Sequence, residues 1–143
     1  MKPLLFSLVA VIATFSVCKA QCDKNVTWTS SKTEFLDSTG NVTGSKDETA
    51  SIKTVNKAIT VTPPGGADNI MNGTIDQYSC NYNADGKNGK MVIGSELTNG
   101  HGEVIHATIT VTTVEGKTTI LLVAKEKPEK RIKLYVSNYE ETK

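Results

Sequence analysis

Residues 103–113 carry the sequence EVIHATITVTT, in which apolar and polar side chains alternate. Successive side chains of a β-strand point to opposite faces of the sheet, so this stretch predicts a strand with one dry and one wet face. The dry face is predicted to hold Ile105, Ala107, Ile109 and Val111, and the wet face His106, Thr108, Thr110 and Thr112.

Two further strands follow this stretch through short turns. Glu115-Gly116 is a hairpin-type pair, and it leads into residues 118–124, whose continuously apolar centre predicts a strand buried on both faces. Lys127-Pro128-Glu129-Lys130 predicts the next turn, because the φ of proline already suits the first central position. Alternation then resumes, with Ile132, Leu134 and Val136 predicted inward and Lys133 and Tyr135 outward.

Upstream of residue 103, short runs rich in Thr, Val and Ile are separated by Gly, Asn, Asp and Pro, which is typical of strands and turns. In the first run Val26 and Trp28 share a face but Phe35 has the opposite parity, so we expect a bulge near Ser30-Ser31-Lys32. The predicted fold class is all-β, an antiparallel meander of about eight strands in a small up-and-down barrel, with a two-sheet β-sandwich as the alternative. The upstream strands are predicted at residues 25–35, 49–55, 57–62, 70–82 and 90–97.

Residues 1–20 have the three-part layout of a secretory signal peptide. Lys2 is the positive start, an apolar stretch extends from Leu4 to Val17, and small residues stand at the −3 and −1 positions before Gln21. The apolar stretch is shorter than the ~20 residues that span a bilayer, so a retained transmembrane anchor is less favoured. Bacterial lipidation is also less favoured, because the branched Val17 precedes Cys18. We therefore expect an exported protein, periplasmic or secreted, with residues 21–143 as a single β domain.

Cleavage after Ala20 would remove Cys18 and leave Cys22 and Cys80 in the mature chain. In an oxidising compartment such a pair is expected to form a disulfide. The chain-entropy estimate for the loop between them is about 4 kcal/mol of stabilisation. A redox-active pair is less favoured, since the two cysteines lack C-x-x-C spacing.

The charge balance excludes some classes of partner. The chain has 16 basic and 15 acidic residues, and 38% of its residues are hydrophobic. Binding to nucleic acid or to an anionic membrane needs a concentrated positive field, which this balance does not supply. The basic residues of 117–133 are expected on exposed strand edges and turns, where lysine discourages edge-to-edge aggregation.

The histidines and acidic residues predict no metal site. His101 lies in a predicted turn and His106 on a polar strand face, with Glu103 as the nearby third donor, whereas zinc needs three or four converging ligands. Asp85 and Glu96 have the spacing of the ends of a calcium loop, but a lysine and a glycine occupy donor positions between them. No metal and no cofactor is therefore predicted.

The sequence also lacks the residue sets typical of enzyme active sites. There is no G-x-S-x-G motif, and no stretch places a histidine beside an activated hydroxyl. The carboxylate pairs Asp47-Glu48 and Glu140-Glu141 lie beside polar residues, which would not raise a carboxyl pKa for acid catalysis. We therefore predict no catalytic residue and no enzymatic activity.

The aromatic residues are the candidates for ligand binding. Tyr135 and Tyr139 are predicted as an outward pair that could stack on a sugar or another flat ligand. Trp28 and the tyrosines near Cys80, Tyr78 and Tyr82, are expected to have core roles instead.

Several features together resemble a known group of proteins. They are a signal ending in Ala20-Gln21, Trp28 early in the first strand, the run KTEFLDS at 32–38, a mid-chain cysteine, and the closing pattern from Ile132 to Tyr139. The combination is similar to the small exported β-rich proteins of unknown function common in Bacteroidetes-type bacteria, and it implies a structural likeness without an activity. The chain also resembles lipocalin-like barrels, whose first strand carries a tryptophan, although Val26 replaces their usual glycine. That resemblance implies a ligand cavity.

These observations predict a non-enzymatic exported β-domain that binds a small apolar or amphipathic ligand, or a partner. The alternative is a protein-interaction module at the envelope surface, acting through an exposed strand edge or the Tyr135/Tyr139 face. A hydrolase is a further alternative.

Overall fold

The computed structural model describes Cys22 and residues 25–142. The predicted signal peptide, residues 1–20, lies outside the described residues. Within them the chain forms nine strands and one short 3-10 helix, Ala67–Asn69. The strands are β1 Asn25–Leu36, β2 Val42–Lys46, β3 Ala50–Val55, β4 Ala58–Thr62, β5 Met71–Tyr82, β6 Gly89–Thr98, β7 Val104–Val114, β8 Lys117–Ala124 and β9 Arg131–Thr142.

Eight of the described strands close into an up-and-down barrel. Each pairs antiparallel with its neighbour in the order β1, β3, β4, β5, β6, β7, β8, β9, and β9 returns to pair with β1 from Asn25↔Thr142 to Leu36↔Arg131. The predicted barrel is confirmed, and the closed ring excludes the two-sheet sandwich. The ninth strand, β2, was not predicted. It pairs with the second half of β1, beyond the part that pairs with β3.

The core fills the inside of this barrel, and β7 shows the predicted one-sided burial. Ala107, Ile109 and Val111 are buried, whereas the polar side chains between them face outward. In β8 the prediction of burial on both faces is wrong. Ile120 and Leu122 are buried, but Leu121 is only half-buried. It lies on the outer face of the barrel, where its neighbours in the sheet are Thr110 of β7 and Lys133 of β9.

Bulges reverse the face of the side chains in three strands of the barrel. The predicted bulge in β1 is confirmed, since the β1–β9 register shifts at Ser30 and Thr33 then turns into the core. The Ser30 hydroxyl donates to Lys32 O at 2.6 Å and accepts from Lys32 N at 3.2 Å, which holds the bulge. A separate register shift in the same pairing places a bulge in β9 between Val136 and Asn138. A third bulge lies in β5, between Ile75 and Gln77.

The loops at the Asn25 end of the barrel contact one another. The Asn56 backbone N–H donates to Asn25 Oδ1 at 2.7 Å, so the β3–β4 turn is tied to the start of β1. The hairpin turn predicted at Glu115-Gly116 is present between β7 and β8, with positive φ at both residues, and Gly116 N donates to Lys87 O at 2.9 Å. At the opposite end Lys130 N donates to Lys127 O at 3.0 Å, which confirms the predicted turn there.

Candidate functional site

The disulfide predicted between Cys22 and Cys80 is present, with the two Cα atoms 5.5 Å apart. It lies where the barrel wall is incomplete, because the β4–β5 pairing ends at Ala58↔Thr74 while β5 continues to Tyr82. Residues 75–82 therefore extend beyond the start of β4 as an overhang, and the bridge holds Cys22 against this overhang. The Tyr78 hydroxyl also donates to Cys22 O.

A cavity of about 380 Å³ lies beneath the overhang at the Asn25 end of the barrel. It is enclosed by the start of β1, the β3–β4 turn and the middle of β5. Its apolar lining is contributed by Trp28, Ile75, Met91 and Ile93. Its polar lining includes Asn25, Thr54, Asn56, Lys57, Asp76, Gln77 and Tyr78, and Cys22 completes the wall.

The β5 bulge creates the floor and one wall of this larger cavity. After the bulge Tyr78 lies opposite Ile93 and Cys80 opposite Met91, so both are on the inner face of the strand. The predicted core role is wrong for Tyr78, which is 45% exposed at the rim. Gly94 on β6 packs closely against the bulge, because a Cβ there would lie 2.8 Å from Asp76 Oδ1 and 2.9 Å from Gln77 Cβ. The rim is fixed by the Ile75 N–H, which donates to Lys57 O at 2.8 Å.

A second cavity, of about 160 Å³, lies at the same end of the barrel. Trp28 and Met91 line both cavities and so separate them. The rings of Trp28 and Tyr139 are 6.5 Å apart and inclined at 54°. Burial and a hydrogen bond to Glu141 raise the pKa of Tyr139. The remaining lining consists of Tyr82, Gly86, Thr113, Gly116 and Thr118.

The candidate tyrosines Tyr135 and Tyr139 do not share a face. Tyr135 is outward as predicted, but the prediction is wrong for Tyr139, which pairs with the inward Trp28 because the β9 bulge reverses its parity. The Tyr135 ring has the ammonium groups of Lys32 and Lys133 each 5.2 Å from its centroid, and its hydroxyl donates to Glu34 at 2.8 Å. Its ring is thus engaged within the protein.

The Tyr135 cluster joins β1 to β9 at the point where the barrel closes. Lys32 Nζ lies 2.9 Å from Glu34 Oε1, and this hydrogen bond, with the one from Tyr135, lowers the pKa of Glu34. The cluster therefore has an evident role in structure.

The two histidines lie apart from both cavities. His106 Nδ1 lies 2.7 Å from Glu126 Oε1, and Nε2 lies 3.6 Å from Glu96 Oε2. The hydrogen bond between His106 and Glu126 lowers the pKa of Glu126. His101 lies in the exposed turn between β6 and β7. Among the described residues no three His, Cys, Asp or Glu side chains are grouped so that they could hold a metal ion.

The resemblance to lipocalin-like barrels implied a ligand cavity, but the position and lining of the two cavities were not predicted from the sequence, although one signal was present. Met71 and Ile75 share one strand parity, whereas Tyr78, Cys80 and Tyr82 share the other. This conflict is the same kind of pattern that predicted the β1 bulge, and it marks the bulge on which the larger cavity depends.

Comparisons with protein-family models, with curated proteins and with solved structures found no match for this chain. In the part of the chain that the structure describes, no helix has the length and apolar character needed to cross a membrane. Function is therefore inferred from the geometry of the two cavities.

Proposed function

We propose that the protein is an exported, non-enzymatic binding protein that takes up a small amphipathic ligand in the larger cavity. The observation that carries this proposal is a cavity of about 380 Å³ with apolar side chains on its floor and polar side chains on its rim. Ligand pockets of proteins are typically ~300 to 1,000 Å³ and combine an apolar lining with a few polar groups. An eight-strand barrel is wide enough for one small ligand.

The lining specifies the chemistry of the ligand. Ile75, Met91 and Ile93 would contact an apolar portion, whereas Lys57 and Asp76 at the rim would meet a polar head. The rim is held in place by hydrogen bonds between the β3–β4 turn and its neighbours, which reduces the entropy lost on binding. The resemblance to lipocalin-like barrels supports the same class of ligand.

Export to the periplasm or the exterior is part of this proposal. The disulfide supports it, since such bonds persist mainly in oxidising compartments. The layout of residues 1–20 and the resemblance to small exported proteins of Bacteroidetes-type bacteria support it as well.

Fluorescence offers a direct test, because Trp28 is the only tryptophan in the chain and lines the cavity. Titration with fatty acids and fatty alcohols of matched chain length should shift its emission, and native mass spectrometry should give one ligand per chain. Ile75→Phe should fill part of the cavity and weaken binding at least about tenfold, or about 1.4 kcal/mol.

Ile132→Phe is the matched control for this test. Ile132 is also a half-buried isoleucine packed against the core, but it pairs with Phe35 and Leu122 near the opposite end of the barrel. The control should bind like the wild type. Equal affinity for all three proteins, or no binding by the wild type, would contradict the proposal.

A second candidate function is protein interaction at the edge of β2. Among the described strands β2 pairs with β1 alone, and an unpaired strand edge can accept a strand from a partner. Val42→Lys would discourage such pairing, and Val114→Lys is the control, since the two valines are 56% and 57% exposed. A partner from the envelope fraction that is lost only with Val42→Lys would favour this function. The hydrolase alternative gains no supporting observation from the described residues.

A further inference from the structure

We propose that the smaller cavity is a binding site for a quaternary ammonium group. This inference goes beyond the proposed function, because it concerns a second cavity, which shares only Trp28 and Met91 with the first, and a different ligand chemistry. Quaternary ammonium groups are recognised by aromatic rings, since the negative face of each ring attracts the cation without a hydrogen bond. The smaller cavity brings together Trp28, Tyr82 and Tyr139, which come from β1, β5 and β9.

The rings are positioned by packing. Tyr82 lies over Gly89 on the paired strand, because a Cβ at Gly89 would be 2.3 Å from both Cγ and Cδ1 of the tyrosine ring. One face of this ring therefore rests on backbone, which leaves the other face for the cavity. Trp28 is 3% exposed and forms the floor, while Tyr139 is 38% exposed and inclined to it at 54°. The two rings pack against each other at this angle, and Tyr139 forms the exposed side of the cavity.

The polar groups of the cavity favour a cation that has no hydrogen to donate. The Tyr82 hydroxyl lies 3.3 Å from Thr113 Oγ1, which lies 2.9 Å from Thr118 Oγ1, so these hydroxyls bond to one another. A primary ammonium would need three acceptors, whereas a quaternary ammonium needs none. The volume of about 160 Å³ is below that of pockets for drug-sized ligands, which fits a single small group.

The charges around the cavity also fit a cation. None of the described residues that line it is a lysine, arginine or histidine. Lys117, between the lining residues Gly116 and Thr118, alternates to the outer face of β8, and Lys87, next to Gly86, is exposed in the loop between β5 and β6. Glu141 accepts a hydrogen bond from the Tyr139 hydroxyl at 3.1 Å and places a negative charge beside the ring.

The test compares choline with its neutral isostere, in which carbon replaces the quaternary nitrogen. Both have the same shape, so a difference in affinity reports the charge. Titration followed by Trp28 fluorescence should show saturable binding of choline and at least about tenfold weaker binding of the isostere. Equal binding of the two compounds would show that the cavity selects shape alone and would overturn the proposal.

Two substitutions on one strand test whether the rings are responsible. Tyr139→Leu removes a ring from the cavity and should weaken choline binding about tenfold, whereas Tyr135→Leu removes an outward ring and should leave it unchanged. Tyr139→Phe keeps the ring and should keep most of the affinity. Thermal melting of each variant confirms that it is folded, and a folded Tyr139→Leu protein with wild-type affinity would contradict the assignment.

The same titrations separate this site from the larger cavity and identify the source of the cation. Ile75→Phe should weaken binding of the fatty acid but not of choline, so the two proposals can fail independently. Choline in solution and vesicles of phosphatidylcholine present the same group, and sedimentation with the vesicles shows whether a lipid head reaches the cavity. Binding of either supports the proposal, and binding of neither overturns it.

Discussion

Thr33 is fully buried, yet its hydroxyl has no hydrogen-bond partner among the described residues. A buried hydroxyl without a partner keeps its full desolvation cost. Thr33→Val replaces the hydroxyl by a methyl group of nearly the same size. We expect the free energy of unfolding to rise by about 1 kcal/mol, measured by chemical denaturation.

Thr54→Val is the matched control for this prediction. Thr54 is also buried, but its hydroxyl accepts from Val26 N at 3.3 Å and faces Val26 O at 3.5 Å. The same substitution should therefore lower the free energy of unfolding by about 1 kcal/mol. If Thr33→Val is the more damaging of the two, the Thr33 hydroxyl has a partner that the packing does not reveal.

Ile109 and Thr110 test the register of β7 at adjacent positions. Ile109 is fully buried between Ile93 and Leu122, so Ile109→Ala leaves a cavity and should cost ~2 to 5 kcal/mol. Thr110 faces outward beside Leu121, and Thr110→Lys should cost no more than about 0.5 kcal/mol. Chemical denaturation gives both values. A severe loss in both variants would mean that an interface covers the outer face of this strand.

At the scale of strands, the seam between β1 and β9 should make stability depend on pH. The hydrogen bonds from Lys32 and Tyr135 lower the pKa of Glu34, so the folded protein favours the ionised carboxylate. A lowered pKa contributes stability above the ordinary value of 4.5, and that contribution is lost as the pH falls through the folded value. Glu34→Gln should therefore destabilise the protein at neutral pH and flatten the decline of stability in acid.

Glu129→Gln provides the control for the seam, since Glu129 lies in the exposed turn between β8 and β9. Denaturation of both variants at pH values from neutral to acid, at low and high salt, separates the local contact from general charge effects. The same acid dependence in Glu34→Gln and the wild type would contradict a stabilising role for this contact.

Strands with one buried face could be predicted from the sequence, and the strand without one could not. The strand predicted at residues 103–113 agrees with β7, Val104–Val114, because apolar and polar residues alternate in a strand that buries one face. β2 shows no such alternation of apolar and polar residues, since four of its five residues, Val42, Thr43, Ser45 and Lys46, are exposed. Its sequence is that of a polar loop, and pairing with β1 determines its structure.

The candidate site could be predicted only in part, because bulges control which side chains meet. The β1 bulge was predictable because Trp28 and Phe35 are both large and apolar yet differ in parity. The β9 bulge left no comparable conflict, since Tyr139 has an apolar ring and a polar hydroxyl and suits either face. One extra residue therefore reversed its predicted direction.

At the scale of the whole molecule, the disulfide ties the start of the barrel to its middle. The closed loop contains β1 to β4 and most of β5, whereas β6 to β9 lie outside it. Because β4 begins only at Ala58, opposite Thr74, Cys22 also supplies a wall where β5 has no strand beside it. Stability and the larger cavity should therefore depend on the same bond.

Reduction of the Cys22–Cys80 bond should have two effects. It should lower the melting temperature, since the loop-closure estimate gives up to about 4 kcal/mol of stabilisation. It should also weaken ligand binding in the larger cavity, because Cys22 would no longer be held against β5. Alkylation without reductant, followed by mass spectrometry, should find both thiols of the native protein unlabelled and joined in one peptide pair. A Cys22→Ser, Cys80→Ser double variant should reproduce both effects, and reductant should not change it further. If the variant melts like the wild type and binds the fatty acid equally well, the overhang of β5 maintains the cavity without the covalent bond.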